Sequence, residues 1–475
     1  MTYRKSIFCI SPAPEVAYDL HLSAALLRAA ISNGRSEAAL LRDSKNFESI
    51  LHEDLNERWK DGFSLREIMK DKALLAPRSP KEKGERHMPI SANLSLVTNY
   101  VRTTDKLWAV GERMALMVRR GAPSKDDYSQ VMSDLVAEGD CWTKFVNFKL
   151  NEFVSKSDLS EEVKVRLKSH SRTPVCLEDI VCSEDEEMRK ILYPFSRIFF
   201  ISLKQLVEWK SRLISSHSAA LLDSFLRIHS FSEVRHLAYA NHVLLEMALS
   251  AEEVDYSESE IRSRFEVEKS KNLLSSDAYL TEEIENCASL LERARVFFNA
   301  FDEDYLLSSK LSSVRNIYQW FEQIRSGDPI YKKVKKRFRM DFNNGAQSRK
   351  IKNSSGLKNF KEFLEYIVKQ RAVYKGLAGQ FDQGYWAQKA GSYTAAPWKV
   401  RISPVGSLLF AGLACQGLPT CTFSDISDRM KDAGLVVTKA GKSQLYHNLK
   451  SLGLTIDSPD GVDAFLVSNP FKLNK

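Results

Sequence analysis

The longest regular pattern of apolar positions in the chain is helical. Ile284, Ala288, Leu291, Arg295 and Phe298 step at i, i+4, i+7, i+11 and i+14, and Leu307, Leu311, Val314, Tyr318 and Phe321 repeat the rhythm until Gly327 stops it. Such stripes predict amphipathic helices whose apolar side is core. Strand-like alternation is sparse from about 140 to 325, so residues 140–327 read as a helical scaffold.

Ahead of it the pattern is more broken. Amphipathic stretches at 17–33, 38–51 and 63–75 make a small mixed or helical unit over 1–76. Pro77, Pro80, Gly84 and Pro89 then interrupt a charged stretch, which predicts a loop. A second small helical unit spans 90–139, with LWAVGERMALMVRRG followed by a helix that opens on Ser124 with Asp127 three residues on, a capping-box spacing, and with Gly139 as its C-cap.

The last seventy-five residues carry a different order of signals. Ser403-Pro404 starts a helix with proline in its first turn, and VGSLLFAGLAC continues it to Gly417. Thr422 or Ser424 caps a second helix with Phe423, Ile426 and Met430 inward and Gly434 at its end. A third begins near Lys442/Ser443 and turns Leu445, Leu449 and Leu452 inward. Two short apolar runs joined by Ser458-Pro459-Asp460-Gly461 then make a hairpin. The expected fold is therefore mainly α, a multi-domain helical scaffold with a C-terminal winged helix-turn-helix domain over 401–475.

Charge adds a fifth region. From Tyr331 to Lys375, fourteen Lys/Arg face only Asp341, Glu362 and Glu365, while the whole chain is only +8, so this segment holds the entire basic excess. YKKVKKRFRM (331–340) interleaves cations with aromatic and aliphatic residues, and SRKIKNSSGLKNFK (348–361) is polar and flexible-looking. The pattern fits either a solvated amphipathic helix followed by a loop or a phosphate-backbone contact within 328–400. The residues expected at DNA are Lys332, Lys333, Lys335, Lys336, Arg337, Arg339, Arg349, Lys350 and Lys352, with Ser443, Gln444, His447 and Lys450 on the third C-terminal helix. The acidic wing residues Asp457, Asp460 and Asp463 oppose insertion of the wing along phosphates, so protein docking by this domain stays open beside DNA contact.

Signals for catalysis are weak. Gly441-Lys442-Ser443 resembles the end of a phosphate loop, but that loop needs glycine five positions before Gly441, where Val436 stands. His229, His236 and His242 are seven and six apart, not the three or four that aim two imidazoles at one point. Glu162-Val163-Lys164 sits in a helical pattern without the strand-borne aspartate that a metal nuclease requires. Seven cysteines lack a C-x-x-C pair and read as reduced structural thiols, and Ser183 to Glu187 reads as a solvated helix start. Ile191 to Leu203 contains Pro194 and Arg197 and is too short to span a bilayer, and no secretory signal is read, so a soluble cytoplasmic chain without cofactor or metal is expected.

FDQGYWAQKAG (381–391), APWKVRISPVGSLLFAGLAC (396–415) and DSPDGVDAFLVSNPF (457–471) together resemble the C-terminal winged-helix region of accessory subunits in multi-gene bacterial anti-phage systems, phosphorothioation-dependent restriction among them. The resemblance covers about a fifth of the chain and transfers no functional residue. It implies a non-catalytic subunit that works beside a separate ATPase or nuclease, and double-stranded DNA is the expected nucleic-acid partner of the basic segment. A kleisin-like bridging subunit of a chromosome-structuring complex is the nearest rival, and a metal-dependent nuclease a more distant one.

Overall fold

The structure, a computed structural model, describes residues 22–23, 26–27, 75–77, 85–87, 108–137, 144, 148, 185–210, 212–213, 215–271, 273–301, 311–343, 354–368, 386–390, 397–456 and 465–472. Among them helices dominate and strands are two or three residues long. β1 (Leu75–Pro77) and β2 (Glu85–His87) pair antiparallel, β1 at the entry to and β2 within the proline-broken stretch that the sequence assigned to a loop. α1 (Trp108–Gly121) is followed by α2 (Lys125–Val136), whose start is capped by Ser124 as its spacing predicted: the hydroxyl accepts from Asp127 N at 3.1 Å. Then come α3 (Glu186–Leu192), capped by Asp185, and α4 (Ser196–Lys210). α2 ends at Val136 with Ala137 as its C-cap, so it stops short of Gly139, the C-cap read from the sequence; the readings for Glu162 to Lys164 and most of 1–76 lie outside the described residues.

α5 (Ser215–Ser250) is the axis of the molecule, 36 residues long. From Leu221 to Ala238 every residue is buried, so its hydrophobicity is spread around the helix and not confined to a stripe, as a helix surrounded by others requires. Burial forces its polar groups to find partners. Arg227 Nε donates to Asp223 Oδ2 at 2.6 Å and Nη1 to the Ile367 carbonyl at 3.1 Å, while Asp223 Oδ1 accepts from Leu22 N at 2.7 Å. Leu22, Ser23, Leu26 and Leu27, within the predicted 17–33 helix, are helical and buried.

Around the axis lie α6 (Glu258–Lys271), β3 (Leu274–Ser275), α7 (Leu280–Phe298), α8 (Val314–Arg325), α9 (Pro329–Asn343) and α10 (Ser355–Val368). The stripe read from the sequence is core: Ile284, Ala288, Leu291 and Phe298 are buried on α7, as are Leu311, Val314 and Phe321 at α8. α7 runs parallel to α5, because Arg235 meets Glu283, Tyr239 meets Asn286, and Glu246 meets Arg293 in the same order along both. α10 runs against α7, with Lys361 on Glu285 and Ser354 on Glu292. Part of the stretch expected to be loop is thus helix from Ser355 onward: Ser354 accepts from Leu357 N at 3.0 Å, and Phe360 and Leu364 reach the core.

The C-terminal part contains β4 (Ala387–Lys389), β5 (Trp398–Val400), α11 (Pro404–Cys415), β6 (Thr420–Thr422), α12 (Phe423–Asp432), β7 (Leu435–Val436), α13 (Lys439–Ser451), β8 (Thr455–Ile456) and β9 (Leu466–Ser468). β4 and β5 form a hairpin. β6, β9 and β8 form an antiparallel sheet in that order, with Cys421 opposite Val467 and Ile456 opposite Leu466. Each helix start has its cap: Ser403 accepts from Gly406 N beside Pro404, and Thr422 and Asp425 form a reciprocal capping box, contributing about 1 kcal/mol each. Gly434, at φ +91°, turns the chain after α12 in a conformation that β-branched residues avoid.

This C-terminal part is welded to the scaffold. Leu274 and Ser275 pair in parallel with Leu435 and Val436, Trp386 Nε1 donates to the Ser224 carbonyl at 2.8 Å, and Thr438 N donates to Ser276 Oγ at 3.0 Å. One contiguous buried cluster runs from Leu22 to Val467. The segment LVVTKAG, too long for a tight helix-turn-helix link, owes its length to β7 and to the cap that follows.

Candidate nucleic-acid interface

Two exposed basic helices carry the candidate site. The first is α9, which covers the predicted YKKVKKRFRM stretch. Tyr331, Val334 and Phe338 face inward, with the Tyr331 hydroxyl donating to the Ala248 carbonyl at 2.5 Å and the Phe338 ring 5.1 Å from that of Phe297. The opposite side exposes Lys332, Lys333, Lys336, Arg337 and Arg339. Lys335 does not belong with them. It is only 4% exposed and is ion-paired with Glu252, so the structure removes it from the set expected at DNA. Its position explains this, since Lys335 stands four residues after Tyr331 and three before Phe338, on the apolar side. Among the described residues it is the one α9 cation in an ion pair. Arg349, Lys350 and Lys352 lie outside the described residues.

The second helix is α13. It begins at Lys439, not near Lys442/Ser443, because Thr438 caps it by accepting from Gly441 N at 3.2 Å. The earlier start adds Lys439 and Lys442 to the exposed side, beside the expected Ser443, His447 and Lys450. No acidic residue occurs in the helix. At ~100° per residue, Lys439, Lys442, Ser443, Tyr446, His447 and Lys450 fall on one face. Gln444 is half-buried and spends its amide on Asn448 Oδ1 at 3.1 Å, which leaves it at the edge of that face. Leu445 and Leu449 are buried as predicted, but Leu452 is 40% exposed, because it is the C-cap residue from which the chain turns away at Gly453. Tyr446 packs edge-on against Phe465, with Lys450 Nζ 5.8 Å from its ring centre, so the residue that leads into β9 buttresses the exposed face.

The inner side of α13 is fixed by the scaffold at its start and by α11 along its length. Thr438 N donates to Ser276 Oγ at 3.0 Å, and Asn448 Nδ2 reaches both the Ile402 carbonyl and Ser407 Oγ at 2.9 Å. Nearby, Lys399 Nζ lies 4.4 Å from the centre of the half-exposed Tyr279 ring, and exposed Arg401 donates to Gln388 Oε1. None of these neighbours carried a signal in the sequence, because they reach the helix through tertiary pairing. The connection between β8 and β9, with Asp457, Asp460 and Asp463, lies outside the described residues.

The other chemical candidates resolve into structure. His229 is fully buried between Phe199 and Phe225, and burial with nearby Arg429 lowers its pKa to about 3. His236 Nε2 is 2.8 Å from the Ile191 carbonyl, and His242 lies beside Glu246 on the helix surface. Among the described residues no three or more His, Cys, Asp or Glu side chains gather to hold a metal ion. Cys287, Cys415 and Cys421 are free and buried, and burial pushes the Cys287 thiol up to about 12, which keeps it protonated. No helix among the described residues is long and apolar enough to cross a membrane. No family model matches the chain, and no curated protein matches it either.

Proposed function

We propose that this chain is a DNA-contacting scaffold subunit of a bacterial multi-protein DNA-processing or anti-phage complex, that residues 401–475 form a winged helix, and that catalysis resides in a partner ATPase or nuclease. The observation that carries the reading is the acid-free exposed face of α13, with three lysines and a histidine, on the third helix of a three-helix unit whose sheet has the order β6-β9-β8. A helix presented by such a unit reads base edges and phosphates with polar and basic groups. The five exposed cations of α9 add a phosphate-backbone contact.

A protein-docking role is supported by a separate observation. Ile456 and Leu466 are directly opposed across two strands and are 43% and 39% exposed, with Leu452 at 40%. Three partly exposed aliphatic side chains on one small unit suit a partner subunit.

The test is fluorescence anisotropy of duplex DNA with the intact protein and with a variant carrying Lys439, Lys442 and Lys450 changed to Ala. The reading predicts at least tenfold weaker binding for the variant at unchanged thermal stability. Equal affinities would remove α13 from the interface, and turnover of DNA by the purified chain alone would overturn the non-catalytic assignment.

A further inference from the structure

The two basic helices are held at a fixed separation. α13 is rooted where Gly434 meets Ser232 and where β7 pairs with β3, just before α7 begins at Leu280. α9 is rooted at the far ends of the same two helices, through Tyr331 on Ala248 and Phe338 on Phe297. From Ser232 to Ala248 is sixteen residues along α5, and from Leu280 to Phe297 seventeen along α7, which at ~1.5 Å per residue gives about 25 Å by either route. The routes agree because α5 and α7 run parallel and are cross-linked by Arg235 with Glu283 and by Arg293 with Glu246. No hinge glycine occurs in either helix.

We infer that α9 and α13 are two contact points of one clamp that engages a single DNA duplex, their anchor points on the scaffold lying about 25 Å apart, roughly seven base pairs at ~3.4 Å per step. This rests on the DNA-contact reading above and extends it, since that reading needs only one contact. Two duplexes lying side by side at this spacing would repel, because screening over about 8–10 Å leaves neighbouring phosphates poorly shielded. One duplex satisfies both contacts, and the rigid scaffold makes the second an intramolecular event with a high effective concentration. α9 supplies phosphate contacts without sequence preference, and α13 supplies the polar face that can reach base edges.

The experiment compares affinities of the intact protein for hairpin-closed duplexes of about 5 and 16 base pairs, the shorter spanning about 14 Å and so accommodating one contact, the longer both. Two variants are measured alongside: Lys332, Lys336 and Arg339 to Ala in α9, and Lys439, Lys442 and Lys450 to Ala in α13, with Arg339→Glu alone as a milder version of the first. Extra registers on the longer duplex raise affinity by the same statistical factor for every protein, so the ratio of the two affinities is the readout. The clamp predicts a ratio at least about tenfold larger for the unmodified protein than for either variant. A ratio unchanged by both variants, with each weakening both duplexes by one common factor, overturns the clamp and leaves DNA contact standing. Binding of neither duplex by the unmodified protein overturns both, and two duplexes per chain in sedimentation overturns the single-duplex clamp.

Discussion

Gly441 lies directly against Ser276, with the serine hydroxyl occupying the place that a β-carbon on the glycine would need. The glycine that suggested a phosphate loop is therefore a packing residue: it lets the first turn of α13 sit on the segment that leads from β3 into α7. Gly441→Ala is expected to destabilise the protein by about 1–3 kcal/mol through overpacking at this seam. Urea unfolding checks it, and a companion Gly453→Ala measures the contrasting case, because nothing lies within 4 Å of a β-carbon there and only the strain of φ +69° opposes it. Equal midpoints for the Gly441 variant and the parent would mean that the seam is slack.

His229 makes stability depend on acid. Its imidazole is buried against Phe199 and Phe225, and its folded pKa, about 3, lies below the ordinary value of 6.5. The unfolded chain binds a proton at this site below 6.5 and the folded chain does not, so the contribution is present in full above 6.5 and is lost as pH falls from 6.5 towards 3. His229→Phe should flatten the pH dependence of the unfolding midpoint across that window. A variant whose midpoint falls with acid as steeply as the parent's would show that other groups govern the loss.

Asp223 and Arg227 form a buried pair one turn apart, their side chains 9% and 1% exposed. Removing one partner strands the other charge, so Asp223→Ala is expected to cost about 3–5 kcal/mol, and more than Arg227→Met with Asp223→Leu together. A double-mutant cycle read by chemical unfolding measures the coupling. The loss from Asp223→Ala should also release Leu22 and Ser23 from α5, since Asp223 Oδ1 receives Leu22 N, and limited proteolysis reports that release.

How far the sequence could be read depends on whether the cause was local. The helices at Ile284 to Phe298 and at Ser403 to Cys415 were legible because periodicity and caps lie within one element, and Lys335 could have been set aside from its spacing to Tyr331 and Phe338 alone. The start of α13 was misplaced because Gly441 reads as a breaker, whereas Thr438 three residues earlier caps the helix through that glycine's N–H. β3 and β7 were not legible at all: each is two residues long, and the bond from Thr438 N to Ser276 Oγ spans 162 positions. The proline-broken 77–89 stretch hid β1 and β2 for a related reason, since three-residue strands leave too little alternation to see.

The central claim is that exposed cations on α9 touch DNA phosphates while Lys335 serves the fold. It is tested most directly by the salt dependence of duplex binding for the parent, for Lys335→Ala, and for a variant with Lys332, Lys333, Lys336, Arg337 and Arg339 changed to Ala. Removing the five exposed cations should lower the slope of log K against log salt by up to about 4.5, at ~0.9 for each phosphate that a side chain had neutralised. Lys335→Ala should leave the slope as it is and lower the unfolding midpoint, because Glu252 is then without its ion-pair partner. A five-residue variant with the parent's slope, or a Lys335 variant with a reduced one, would contradict this account.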